Sequence, residues 1–142
     1  MLIFLDLDGV LRRKKSPLYR LDTLGLRAFE QAIRSFPNAQ IVITSSWREA
    51  FTVDQMRGLF SPDIAWRIIG VTPIAPNQDG HYRHLEVLAY LKLNRREKDP
   101  WLALHDDPLH YPRLNNVLLI DGERGFDSDA AQQLASLVDH AR

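Results

Sequence analysis

The chain has 142 residues, eighteen Lys and Arg against eighteen Asp and Glu, and no cysteine. That length suits one domain, residues 1–142, with a core that needs no staple. The lack of cysteine excludes disulfides and thiolate metal sites and fits a reducing cytoplasm, the balanced charge excludes a chain-wide basic footprint for nucleic acid, and no apolar run approaches the ~20 residues of a membrane span.

The first apolar run, Leu2–Leu7, reads as a strand that ends on Asp6-Leu7-Asp8-Gly9. It is short, lacks a basic leader and is broken by two acids, so it does not read as a signal peptide. Arg12–Lys15, "RRKK", is the one basic cluster. It is either a solvated loop or an electrostatic lip for an anionic substrate. Thr23–Phe36 carries Leu26, Phe29, Ile33 and Phe36 at helical spacing, with Asp22 as N-cap. Gln40–Thr44 is a second strand, running into Ser45 and Ser46. Thr52 and Gln55 form a T-x-x-Q capping box for a helix through Leu59. Trp66–Val71 reads as a third strand, and Pro73, Pro76, Asn77 and Gly80 make Thr72–Gly80 a loop. Leu85, Leu88 and Leu91 mark a helix from about His84, with Arg83 at its start. Trp101–His105 is a fourth strand, ending on Asp106-Asp107, with a loop at Pro108 and Pro112. Val117–Asp121 is the fifth, and Ala131, Leu134, Leu137 and Val138 mark the last helix. The strands are nearly continuous apolar runs alternating with helices, which predicts an α/β fold with a parallel sheet covered on both faces.

Ligands of such sheets bind at the carboxyl ends of the strands. There stand Asp6, Asp8, Thr44, Ser45, Asp106 and Asp107, with Arg83 at a helix start. Four clustered carboxylates cannot all stay ionised without a cation. Oxygen donors without thiolates suit Mg²⁺, which takes few carboxylates and a phosphate. A carboxylate beside Mg²⁺ and a phosphate is a competent nucleophile, and a second acid can protonate the leaving oxygen and then activate water. Thr44, Ser45 and Arg83 would hold the transferring oxygens. Trp47 is either core or a platform for a base. Asp121 either supports the metal or caps the turn at Gly122. The five histidines, His81, His84, His105, His110 and His140, follow no familiar spacing. His105 and His110 flank the aspartates, which keeps a zinc or dinuclear site as an alternative.

"DLDGVL" at Asp6–Leu11 resembles the first motif of the haloacid dehalogenase-like (HAD) superfamily of phosphohydrolases. "IVITSSW" resembles its second, Arg83 its third and "LALHDD" its fourth, in the family's order. "SSWR", "YRHLEVLAYL" and "NVLLIDGERGF" resemble the branch found in multidomain RNA-repair proteins. The resemblance implies a Rossmannoid three-layer sandwich with a five-stranded parallel sheet and the first strand central. It implies Asp6 as nucleophile and Asp8 as general acid/base. Mg²⁺ would sit on Asp6, the carbonyl of Asp8, and one or both of Asp106 and Asp107. Thr44 is the preferred second-motif residue, with Ser45 next. Arg83 is the third-motif cation, with Lys92 and Lys98 as alternatives. The lengths Gly9–Asp22 and Thr72–Tyr82 leave no room for the family's cap domain. A capless, open site implies a bulky substrate such as a nucleotide or polynucleotide end phosphate. The competing reading is a non-catalytic module that binds a phosphate or nucleic-acid end within a repair or regulatory complex. A receiver domain would need its acceptor Asp on the third strand and a Lys after the fifth, and neither is evident. Oligomeric state and protein partners stay open.

Overall fold

The computed structural model describes residues 1–141. Strand β1 (Leu2–Leu5) stands at the centre of a five-stranded sheet. β2 (Gln40–Ile43) and β3 (Ile68–Val71) lie on one side, β4 (Trp101–His105) and β5 (Val117–Leu119) on the other, and every pairing is parallel. All four residues of β1 are fully buried. A central parallel strand is covered on both faces, which is why it reads as an unbroken apolar run.

Alternation along the strands divides the core in two. Ile3, Leu5, Ile41 and Ile43 pack beneath α1 (Thr23–Arg34), which contributes Phe29 and Ile33. Two short helices, α2 (Val53–Arg57) and α3 (Pro62–Ala65), extend that layer through Met56 and Ile64. Leu2, Phe4, Val42 and Ala103 face the opposite side, under α4 (Tyr82–Leu93) with its Val87, Tyr90 and Leu91. α5 (Ser128–Ala141) joins the first layer through Leu134 and Val138. The fold is the expected three-layer HAD-like sandwich. The segments after β1 and β3, residues 6–22 and 72–81, hold only turns and one isolated bridge, so no cap domain is inserted at either point. Among the described residues, no helix is long and apolar enough to cross a membrane.

Several boundaries differ from the sequence reading. β1, β2 and β5 end at Leu5, Ile43 and Leu119, short of the polar residues Asp6, Thr44 and Asp121. Trp66 is not in β3: it ends α3, a helix the periodicity did not reveal, and is 87% exposed. The capping box of Thr52 and Gln55 is present with both of its bonds. Asp22 precedes α1 but its side chain does not cap it. Its carboxylate instead accepts from the Arg13 amide and the Ser16 hydroxyl, fastening the loop after β1. α4 starts at Tyr82, and Leu85 and Leu88 are exposed. Its buried face is Tyr82, Arg83, Glu86, Val87, Tyr90 and Leu91.

Candidate active site

Register brings three polar residues to one level. Leu5 pairs with both Ile43 and Leu104, so Asp6, Thr44 and His105 follow side by side. The Asp6 amide still donates to the Leu104 carbonyl and the Thr44 amide to that of Leu5. Alternation places them on the face of Phe4, Val42 and Ala103, the face α4 covers. Arg83 stands on the first turn of that helix. Asp6, His105 and Arg83, with Asp8, Lys14, Ser46, Asp106, Asp107 and His110, line a cleft of about 450 Å³.

Two glycines leave room for cleft residues. Gly9 has φ +81°, and a Cβ there would stand 2.1 Å from Asp106 Oδ2. A Cβ on Gly122 would meet Lys14 Cε at 2.6 Å and Asp106 Oδ2 at 3.0 Å. A side chain at position 9 would push Asp106 out of place, and one at position 122 would first displace the end of Lys14.

Among the acids, Asp106 clusters with Asp6, while Asp107 bonds within its own turn. Asp6 Oδ1 accepts from the Leu7 amide at 2.8 Å, and Oδ2 lies 2.8 Å from His105 Nδ1. Asp6, His105 and Asp106 each bring one potential ligand atom, all within 4.8 Å of one another. Burial, and then the charge of Asp6, push the Asp106 carboxyl above its usual range. Asp107 accepts from the Leu109 amide at 2.9 Å and reaches His110 Nε2 at 3.2 Å. His110 Nδ1 in turn lies 2.7 Å from His105 Nε2. Asp8 Oδ1 accepts from Arg12 Nε at 2.6 Å and Trp47 Nε1 at 2.9 Å. Trp47 is 1% exposed, so it is core and holds Asp8; as a platform for a base it is excluded.

The opposite wall is basic and closely bonded. Arg83 Nη1 donates to Glu86 Oε1 at 2.8 Å, while its buried Nε has no partner. Burial works to lower the Arg83 pKa, but the Glu86 hydrogen bond and the charge of Asp6 outweigh it and hold the pKa raised. Glu86 Oε2 accepts from Arg48 Nη2 at 2.5 Å and from the Ala75 amide at 2.9 Å. Arg48 also donates to the carbonyls of Thr44, Ser45, Thr72 and Pro73. One guanidinium thus ties the end of β2 to the end of β3 and to α4. Lys92 and Lys98 are exposed and absent from the cleft lining, which leaves Arg83 as the cation of that wall.

The hydroxyls divide differently from the sequence reading. Thr44 Oγ1 is buried without a partner. Ser45 Oγ accepts from the Trp47 amide at 3.2 Å and caps the turn Ser46–Glu49. Ser46, passed over as a site residue, lines the cleft. The basic cluster also divides. Arg12 bonds Asp8 and the Ser16 carbonyl, Arg13 pairs with Asp22, and Lys14 alone of the four lines the cleft, so there is no four-cation lip. Asp121 accepts from the Glu123 amide at 2.9 Å and serves its turn. Arg48 and Glu86 were not singled out as site residues, and His105 and His110 entered only through the alternative zinc or dinuclear site. Their only sequence signal was position, beside the acid pair, after the Ser pair, and one helical turn past Arg83.

The family described as the HAD domain in Swiss Army Knife RNA repair proteins matches residues 2–131. No curated protein and no solved structure matches the chain.

Proposed function

Because the chain belongs to the HAD domains of Swiss Army Knife RNA repair proteins, we propose that it is a Mg²⁺-dependent phosphomonoesterase acting through Asp6. Membership supports a HAD-type hydrolase in general. The finer reading rests on one observation: Asp6 and Asp106 are crowded together in a cleft that Arg83 also lines. The donor set fits a small divalent cation, since the raised Asp106 pKa and the orphaned His105 Nδ1 both mark a site short of positive charge. Asp6 and Asp106 would hold it, and when bound it offsets the charge of the acids and the phosphoryl group.

The chain's own groups account for the rest. A carboxylate oxygen of Asp6 attacks phosphorus, and the bond to the leaving oxygen breaks, giving an aspartyl phosphate. Arg12 and Trp47 occupy Asp8 Oδ1, so a protonated Asp8 hands its proton from Oδ2 to the leaving oxygen. The Asp8 carboxylate then takes a proton from water as the water oxygen attacks phosphorus. Inorganic phosphate leaves and Asp6 is restored. Arg83, with the hydroxyls of Thr44 and Ser46, donates to the equatorial oxygens. A cleft without a cap, with Lys14 on its wall, favours a nucleotide or a nucleic-acid end as substrate.

The test is phosphate release with Mg²⁺ from a panel of phosphorylated oligonucleotides, mononucleotides, sugar phosphates and a phosphopeptide. Release lost in Asp6→Asn, with the fold intact, is the expected outcome. No release from any of them by folded, Mg²⁺-binding protein would leave a binding module instead.

A further inference from the structure

One hydrogen bond joins the two rings, between His105 Nε2 and His110 Nδ1 at 2.7 Å, and either ring can be its donor. With His105 as the donor, its Nδ1 carries a bare lone pair. The atom is buried, on a side chain 2% exposed, and has no hydrogen-bond partner. It nevertheless lies 2.8 Å from Asp6 Oδ2. Two acceptors so close repel each other.

A shared cation turns that repulsion into attraction. Adjacent ligands of a small octahedral cation, each about 2.0–2.1 Å from it, stand about 2.9 Å apart. They aim at the cation and not at each other. Such a pair is short yet fails the alignment of a hydrogen bond, as Asp6 and His105 do. Asp106 closes the set as the third donor.

We propose that His105 Nδ1 is a ligand of the cation held by Asp6 and Asp106, making the site a mixed nitrogen and oxygen site. His110 and Asp107 then form an outer chain that orients the ring, as such partners commonly do. The nitrogen raises affinity for cations that accept imidazole, such as Co²⁺, more than for Mg²⁺. The inference rests on the reading of Asp6 and Asp106 as the cation site, but not on any turnover. Its rival is a proton in the same gap, with His105 an imidazolium paired to Asp6.

The first test needs no variant. Mn²⁺ is added to the wild-type chain and its electron spin echo is examined for modulation by a directly bound imidazole nitrogen. The modulation is expected. Calorimetric titrations with Co²⁺ and with Mg²⁺ follow, on wild type and His105→Asn. Co²⁺ affinity should fall about tenfold or more in the variant, and that of Mg²⁺ by less than about threefold. Mn²⁺ bound without nitrogen modulation, or equal losses for both cations, would overturn the inference while leaving the cation site in place. No Mn²⁺ binding would overturn both. Nitrogen modulation in a protein that releases no phosphate would uphold the ligand and sink the hydrolase.

Discussion

The two walls of the cleft treat charge in opposite ways. On the α4 wall, Glu86 sits between Arg48 and Arg83, and each guanidinium bonds it directly. On the β1–β4 wall, Asp6 and Asp106 crowd each other, and the nearest imidazole nitrogen meets Asp6 without a hydrogen bond. Buried charges that are matched hold a shape. Buried charges left at odds wait for something from outside. The Glu86 cluster is therefore scaffold that holds Arg83 in place, and the second wall is where the nucleophile is expected.

The comparison breaks most directly at Glu86. Glu86→Ala leaves two buried guanidinium groups unpaired and should cost about 3–5 kcal/mol in stability, read from the urea midpoint. A loss under about 1 kcal/mol would mean that wall is no scaffold. Gly9→Ala acts on the other wall. It places a side chain at positive φ, costing about 1–2 kcal/mol, and displaces Asp106. Turnover should fall about a hundredfold, as it does when a reacting group moves by an ångström. An active Gly9→Ala enzyme would show that Asp106 is not needed where it stands.

Thr44 follows β2 beside Asp6, fully buried and outside the cleft lining. Thr44→Val removes a buried hydroxyl without a partner and should raise stability by about 1 kcal/mol. If that hydroxyl meets a phosphate oxygen, kcat/KM falls as stability rises. A stability gain without that loss would transfer the role to Ser46, to be checked by Ser46→Ala. The smallest effect is at Asp22, outside both walls. Burial opposes ionisation there, but bonds from Ser16 and Arg13 outweigh it and hold the carboxyl below its usual range. A depressed folded pKa stabilises above the unfolded value, near 3.8, and that contribution is lost as pH falls through the folded one. The protection of the Arg13 amide, its exchange rate taken relative to the intrinsic rate at each pH, should fall as pH is lowered through that window. In Asp22→Asn it should already be lower at neutral pH.

Much of this was legible in the chain. The strands announced themselves because β1 and its neighbours are buried on both faces, and their polar ends marked the rim. α4 misled because its buried face carries Arg83 and Glu86. Charge on that face hid it, while Leu85 and Leu88 made the solvent side look like core. His105 was visible only as a neighbour of two aspartates. Its placement beside Asp6 comes from the pairing of Leu5 with Leu104, which no local pattern encodes. Arg48 reads as one charged residue in a turn, because a clamp on four carbonyls from two strand ends exists only once those ends are side by side.

Trp47 gives the molecule a gauge of its own. Its indole N–H rests on the carboxylate assigned to proton transfer, 2.9 Å away and shielded from water. Trp66 is almost wholly in solvent, and the third tryptophan, Trp101, packs edge-on against Phe4. In a Trp66→Phe, Trp101→Phe chain the remaining emission is that of Trp47, and bromide or iodide will spare it. The protected signal then follows Asp8 through each change of protonation or ligand, with no label added.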